Sequence, residues 1–356
     1  MTSVKVSRQK AEKHLEAFSN AHAPSGFEGE VAELLNQELQ HWGECQQDLA
    51  GSVAYTKGEG THVIVTAHMD EVGFRVQSIT SQGFLKFVTL GGWWAHVLLA
   101  QRVRIKTATG DYISGVVGSK PVHFLPKQER GKVLSLDALY IDIGVDSAEE
   151  VASLGIRLGD SIVPDSYFMP AAKEGRFMAK AFDNRVGCAA LVQYAEALPE
   201  GITGLKVSLA GTVQEEVGLR GAKTLANLLQ PEVAIVLESA PADDTIGFNR
   251  SESQGVIGGG VQIRMHDPKA IMSPWLVSLA QETATELKIP YQMAVKNSGG
   301  TDAGTFAYAN DGIPTVVLGV PSRYIHTHNS IIEIEDYIAM VTLAVELSKR
   351  LAQRIG

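Results

Sequence analysis

What this sequence lacks already excludes several classes of protein. Only two cysteines occur, Cys45 and Cys188, so no disulfide framework organises the chain and a reduced, cytoplasmic setting is expected. No apolar stretch approaches the ~20 residues of a membrane-spanning helix. The opening residues, MTSVKVSRQKAEKHLEAF, are amphipathic and charged, unlike a secretory signal. A basic excess is missing too: 31 Lys+Arg stand against 40 Asp+Glu, a net charge of -9, which leaves nothing to neutralise nucleic-acid phosphates. Internal repeats, low-complexity tracts and long linkers are also absent. At 356 residues the chain exceeds what one hydrophobic core usually organises, so two domains, or one domain with a large insertion, are expected.

Hydrophobic spacing divides the chain into two kinds of territory. Apolar residues recur at helical intervals from Val4 to Phe18 and again at Val31, Leu34, Leu35, Leu39 and Trp42. Arg185 to Leu198, Ile271 to Leu287 and Ile334 to Arg354 read as long helices with broad apolar faces. Short β-branched runs at His62 to Ala67, Leu205 to Leu209, Val233 to Leu237 and Thr315 to Leu318 alternate with these helical patterns. Such alternation predicts an α/β sheet flanked by helices. Between Gly73 and Val163 the texture changes to short strands broken by turn signals: FRVQSI, FLKFVTL, RVRIKT, YISGVV, LYIDIG and LGDSIV. A compact β domain at residues 73–163 is therefore expected, inserted into an α/β domain made of residues 1–72 and 164–356.

Five acidic and histidine clusters each sit beside an apolar run. They read VIVTAHMD, AFDNR, TVQEE, AIVLES and RYIHTH. His68 and Asp70 stand two positions apart at a strand end, so both side chains point to one side and Asp70 is placed to accept a hydrogen bond from the second ring nitrogen of His68. Asp183 opens a helix, where an Asp is often a simple N-cap; its two oxygens also suit it to bridge two cations. Glu215 and Glu216 are adjacent carboxylates that repel each other and need either solvent or a cation, and because successive side chains diverge, one can bind metal while the other acts on water. Glu238 ends the apolar run VAIVLE, where an unpaired buried carboxylate is costly, and ligation is the favoured reading. His326 and His328, two residues apart, either share a face and bind one metal or leave His328 as exposed polar surface; His326 is the candidate ligand and His328 a weaker second one. Two imidazoles and several carboxylates at strand ends are what a pair of divalent cations requires for hydrolysis.

The ordered set TAHMDEVGF, GGWW, RVRIKTATG to GVVG, LYIDIGVDSAEEVASLGIRLGD, AFDNRVGC, VQEEVGLRGA, SGGTDAG and SRYIH resembles the tetrahedral aminopeptidase and glutamyl aminopeptidase family of two-metal exopeptidases, from about Pro24 to Ile334. The resemblance implies a mixed sheet of the zinc-exopeptidase type and an inserted domain that is a small β-barrel or PDZ-like fold used in assembly. It implies that one cation is held by His68 and Glu238 and the other by Glu216 and His326, with Asp183 bridging. Glu215 is then the general base for an attacking water, Asp70 supports His68, and the Asp183-Asn184 peptide is cis. The substrates are peptides cleaved at their N-terminal residue, and the assembly is a homo-oligomer of dimers, up to a tetrahedral dodecamer. Two departures stand out: Glu238 occupies a position that is Asp in many relatives, and His328 stands where Pro is common.

Other readings use part of the same residues. A glycoside hydrolase employs paired carboxylates but has no task for the histidines or a metal. An amidase or deacylase acting on blocked amines would share the metal site. A non-catalytic shell protein would have no need of an intact Glu215. The set of N and O ligands accepts zinc, cobalt or manganese. The preferred side chain depends on the pocket lining, for which Lys296, Arg220 and Arg250 are basic candidates, and on whether the SGGTDAG loop with Asp302 lines that pocket. The Trp93-Trp94 pair and the following HVLLA belong either to an interface patch or to the core.

Overall fold

The computed structural model describes residues 4–355. The first three residues of the amphipathic N-terminal segment and the final residue of the expected catalytic domain lie outside the described residues. Three strands come first, β1 (Glu44–Gln47), β2 (Val53–Gly58) and β3 (Thr61–His68). Six more follow: β4 (Gly73–Ile79), β5 (Leu85–Leu90), β6 (Arg102–Lys106), β7 (Tyr112–Gly118), β8 (Tyr140–Asp142) and β9 (Ser161–Pro164). The remainder are β10 (Met169–Pro170), β11 (Arg176–Ala179), β12 (Leu205–Thr212), β13 (Val233–Pro241), β14 (Val261–Asp267), β15 (Ala270–Ile271), β16 (Tyr291–Val295), β17 (Thr315–Ser322) and β18 (Ser330–Glu333). The helices are α1 (Arg8–Asn20), α2 (Gly29–Leu39), α3 (Ala148–Ser153), α4 (Phe182–Ala197), α5 (Arg220–Leu229), α6 (Pro274–Leu287), α7 (Ala303–Phe306) and α8 (Ile334–Ile355).

The main sheet has nine strands in the order β1-β2-β12-β3-β13-β17-β14-β15, with β16 paired to β14. Its central four strands, β12, β3, β13 and β17, run parallel, while β2 and β14 join antiparallel at either side. The sheet is therefore mixed. Central parallel strands are covered on both faces, which is why Val63–Val65, Val233–Leu237 and Val316–Leu318 are continuous apolar runs buried along their whole length. Helix α4 packs on β3 and β13 with α1 and α8 beside it, and α5 and α7 pack together and against β12 and β17.

Helix starts differ from the sequence expectation where local chemistry intervenes. The helix expected from Val4 begins at Arg8, because the Ser7 side chain accepts the backbone N–H of Lys10 and caps it. The one expected from Ile271 begins at Pro274, whose missing N–H is harmless in the first helical turn, and Ile271 pairs in β15 instead.

All six strand runs seen between Gly73 and Val163 form β4 to β9, which close into a barrel in the order β4-β5-β8-β7-β6-β9. The barrel buries its own apolar set, including Phe74, Val76, Leu85, Val103, Ile105, Ile141 and Ile162. The two tryptophans differ in exposure. Trp93 packs inward, its ring 4.6 Å from that of Phe74, whereas Trp94 is 64% exposed and Leu99 40%.

Candidate metal centre

Parallel strands end on one edge of a sheet, and that edge is where α/β folds carry their ligands. His68 is the last residue of β3, and Thr212, its register partner, is the last of β12, so Glu215 and Glu216 follow directly beside it. Val236 pairs with Thr66, which sets Glu238 next to His68 on the other side. His326 follows the end of β17. Asp183 enters from the start of α4, where it and Asn184 have non-helical backbone angles and their shared peptide is cis, as the resemblance implied.

The side chains converge. His68 Nε2 lies 3.1 Å from Asp183 Oδ1 and 3.4 Å from Glu238 Oε1. His326 Nε2 lies 3.1 Å from Asp183 Oδ2 and 3.2 Å from Glu216 Oε1. The two carboxylate oxygens of Asp183 thus face different imidazoles. Ligand atoms of His68, Asp183 and Glu216, and likewise of His68, Glu215 and Glu238, fall within 4.8 Å of one another.

Asp70 is fully buried and has more partners than the sequence expectation gave it. The second ring nitrogen of His68 is 3.1 Å from the Asp70 backbone carbonyl and 3.5 Å from its carboxylate. That carboxylate also accepts Ser25 Oγ at 2.6 Å and the backbone N–H groups of Glu215 and Glu216 at 2.9 and 3.1 Å. A residue tied to three donors on other segments is read only from tertiary packing, which is why the H-x-D spacing alone suggested a simpler pairing.

Charge in the cluster is unbalanced. Burial pushes the Glu215 carboxyl well above its usual range, His68 opposing and Glu216 and Glu238 adding to the rise. Burial also raises Glu216, and it raises Glu238 to about 7. Burial would raise Asp183 as well, but hydrogen bonds with His326 and His68 hold it below the ordinary carboxylate range. The imidazoles are raised as well, by the carboxylates around them. Burial works against a charge on His326, yet Glu216 and Asp183 lift it to about 11; His68 is lifted in the same way by Glu238 and Glu215.

These residues fit divalent cations. One Nε2 has one hydrogen, so His326 cannot satisfy both Asp183 and Glu216, and the buried Glu216 Oε1 is left without a well-aligned donor. An acidic cage of this kind keeps protons on its imidazoles unless other positive charge takes their place.

A cavity of about 1000 Å³ opens over the cluster. Lys296 is among the residues lining it and pairs with Asp243 at 3.3 Å. Arg220 turns to Gln214 at 3.2 Å and, like Arg250, is not among those lining residues. Ser298 to Thr301 of the SGGTDAG loop line it, while Asp302 is buried behind, accepting Thr212 Oγ1 at 2.5 Å. Three further lining residues, Arg264, His266 and Lys269, were not singled out in the sequence. The signal was present: an arginine within the apolar alternation VQIRMHD needs a reason to be there. Arg264 is 4% exposed, stands 3.4 Å from Asp267, and has a buried Nε with no hydrogen-bond partner.

A sheet that gathers imidazoles and carboxylates at the ends of its parallel strands, beneath a cavity, defines a metal-dependent hydrolase. The family model for M42 glutamyl aminopeptidase matches residues 51–343. The chain is 35% identical to a glutamyl aminopeptidase of Lactococcus lactis over 338 residues, covering 92% of this chain and 93% of the relative. Its fold is similar to that of the TET aminopeptidase from a marine sediment Thaumarchaeota archaeon, with TM-score 0.93, 36% identity, and coverage of 98% and 99% of the two chains. It is also similar to the Pyrococcus horikoshii TET1 peptidase, which can assemble into a tetrahedron or a large octahedral shell, with TM-score 0.83, 30% identity, and coverage of 95% and 98%. This chain belongs to the M42 glutamyl aminopeptidase family and is a peptide hydrolase.

Proposed function

We propose that the chain is a two-metal aminopeptidase that removes N-terminal residues from peptides, acidic ones by preference. The observation that carries this reading is the placement of Asp183, whose two oxygens each face a separate imidazole–carboxylate pair at 3.1 Å. His68 and Glu238 would hold one cation and Glu216 and His326 the other, with Asp183 serving both; zinc, cobalt and manganese all suit these ligands. When bound, such a pair supplies Lewis acidity that polarises a peptide carbonyl and lowers the pKa of water to about 7.

The chain's own residues do the rest. Glu215 takes the proton from the attacking water and delivers it to the leaving amine; its raised affinity for protons, set by burial, matches that task. Asp70 fixes the backbone of Glu215 and Glu216 through two N–H groups, which limits their motion during proton transfer. The nearly buried Arg264 and the exposed Lys269 bring positive charge to the cavity and are suited to a substrate carboxylate. Preference for an acidic side chain is what the name of the Lactococcus relative describes for that enzyme.

We further assign residues 1–72 and 164–356 to the catalytic domain and 73–163 to an inserted domain that takes part in homo-oligomer assembly. The barrel's separate core, the exposed Trp94 and Leu99, and the shells formed by the TET1 relative support that division. Both cysteines are free, which agrees with a cytoplasmic setting, and no helix among the described residues is long and apolar enough to cross a membrane.

The test is a panel of aminoacyl anilides, free and N-acetylated, run on chelator-stripped protein with zinc, cobalt or manganese restored. Activity returning with metal on free glutamyl and aspartyl anilides is expected. Cleavage of only the N-acetylated forms would make the protein a deacylase, and activity untouched by the chelator would remove the metal from the chemistry.

A further inference from the structure

The two halves of the metal centre are supported in different ways. His68 is buried at the end of a central strand, and its Nδ1 is held by the carbonyl of Asp70 from the same segment. His326 has a φ of 56°, lies outside any strand or helix, and its side chain is 34% exposed. Little in its own segment fixes the ring. Its Nδ1 instead donates to the backbone carbonyl of Gly92 at 3.0 Å, and Gly92 belongs to the turn that leaves β5 of the barrel.

Resting on the two-metal reading, we propose that the Gly91–Trp93 turn of the barrel is a positioning element of the metal centre, on which the Glu216–His326 half depends and the His68–Glu238 half does not. The Gly92 carbonyl keeps the proton on Nδ1 of His326 and so turns the lone pair of Nε2 toward Asp183 and Glu216, a device by which metal-binding histidines are commonly aimed. Gly91 runs close to the other ligand, Glu216. Its φ is 81°, and a Cβ there would lie 2.6 Å from Val72 Cγ1 and 3.3 Å from Glu216 Cβ and Oε2. Glycine is therefore required by the backbone angle and by the close approach to Val72, and any side chain there would also crowd Glu216.

Trp93 holds this turn in place from both sides. Toward the barrel, its ring stacks on Phe74 and its Nε1 donates to the Gly73 carbonyl at 3.2 Å. Toward the catalytic sheet, it meets the buried ring of His328 edge-on, with centroids 5.7 Å apart. His328 is two residues from His326, so the histidine segment is seated on the barrel turn at two points. The sequence pair HTH then has two separate tasks: His326 faces the cations and His328 docks against the barrel.

The experiment is metal titration of the stripped protein by calorimetry, together with the visible spectrum of bound Co²⁺, for the wild type and for Trp93→Leu, Trp93→Phe and His328→Leu. Circular dichroism and thermal melts establish that each variant is folded. The wild type is expected to take up two ions per chain. Trp93→Leu and His328→Leu, which loosen the contact from opposite sides, are expected to weaken one site about 10–100-fold, the range for groups that orient metal ligands, and to leave the other within about twofold. Trp93→Phe keeps the stacked ring and is expected to restore most of the weakened site. Variants that bind both ions as the wild type does, or that weaken both sites equally, would overturn the proposal alone. A wild type that binds fewer than two ions would overturn the two-metal reading and this proposal with it.

Discussion

Asp70 accepts the backbone N–H of Glu215 at 2.9 Å, so a carboxylate from the end of β3 fixes the position of the proposed general base on the segment after β12. The same group takes Glu216 N–H and Ser25 Oγ, which makes it a buried anion with three donors. Replacing Asp70 by Asn keeps its size, removes the charge and aims two N–H groups where donors already stand. Hydrogen bonds to charged groups contribute about 1.5–3 kcal/mol, so Asp70→Asn should lower kcat about 10–100-fold with far less change in KM. Glu215→Gln should fall further, by about 10²–10⁴-fold, with two metals still bound. Steady-state kinetics with metal analysis of both variants checks this, and a near-normal Glu215→Gln enzyme would refute the assigned role.

The cavity lining sets the second prediction. Arg264 and Lys269 are two separate sources of positive charge, one nearly buried and one exposed. Losing a charge-assisted contact to the substrate carboxylate should cost about 1.5–3 kcal/mol, or about 10–100-fold in kcat/KM. Lys269→Met should therefore narrow the ratio of glutamyl to leucyl anilide cleavage while leucyl cleavage itself changes little; Arg264→Met should narrow the ratio too, with a general loss of activity and stability because the buried Asp267 loses its charged partner. A ratio that both variants leave intact would mean that another feature selects the side chain.

The sequence showed those residues whose neighbours in the chain are informative. His68 and Glu238 end apolar runs that read as buried strands, and a polar group at such an end stands out. The six barrel strands were visible because turn residues separate them. Arg264, Ser25 and Trp93 were not legible as site residues, because each acquires its role from segments far away in sequence. Strands β14 and β16, which were not anticipated, lie at the side of the sheet beyond its parallel centre, where solvent-facing positions weaken the apolar run. Arg185 shows the limit most clearly. In sequence it is the start of a helix after AFDN, yet its side chain is completely buried.

That burial makes a stability prediction. Arg185 donates to the carbonyls of Phe18, Met69 and Ala23 and to Glu71 at 3.0 Å, while Lys180 donates to Glu71 at 2.6 and 2.8 Å and to the Ala21 carbonyl. Burial would raise the Glu71 carboxyl, but Lys180 and Arg185 hold it below its usual range. Removing the guanidinium leaves Glu71 still paired with Lys180 but takes several charge-assisted hydrogen bonds from buried acceptors, each contributing about 1.5–3 kcal/mol. Arg185→Met should lower the denaturation midpoint in urea correspondingly. A loss within about 1 kcal/mol would show that water enters and replaces the guanidinium.

Acid should weaken the fold through two buried histidines remote from the metal residues. Burial lowers His62 from 6.5 to about 4 and His22 from 6.5 to about 3, the pull of Glu232 on the first and of Glu71 on the second being too weak to offset it. Both groups have folded pKa values below their unfolded ones. Their contribution is therefore complete above about pH 6.5 and is lost as the pH falls through about 4 for His62 and about 3 for His22, because the unfolded chain takes up protons that the folded one refuses. Two buried carboxyls work in the opposite sense. Burial raises Asp336 and Glu28 to about 7, so below neutrality the folded chain accepts protons there before the unfolded chain does and is favoured. Net stability between pH 7 and 4 thus mixes opposing terms, and a single melt would not separate them. Comparing wild type with His62→Gln does, since Gln retains a donor for Ser208, 2.7 Å from the His62 ring in the native protein, and does not titrate. The ratio of their unfolding constants should be constant above pH 6.5 and shift toward the variant by at most about tenfold per pH unit between 6.5 and 4. A ratio that stays level across that window would mean that His62 is as easily protonated in the folded chain as in the unfolded one.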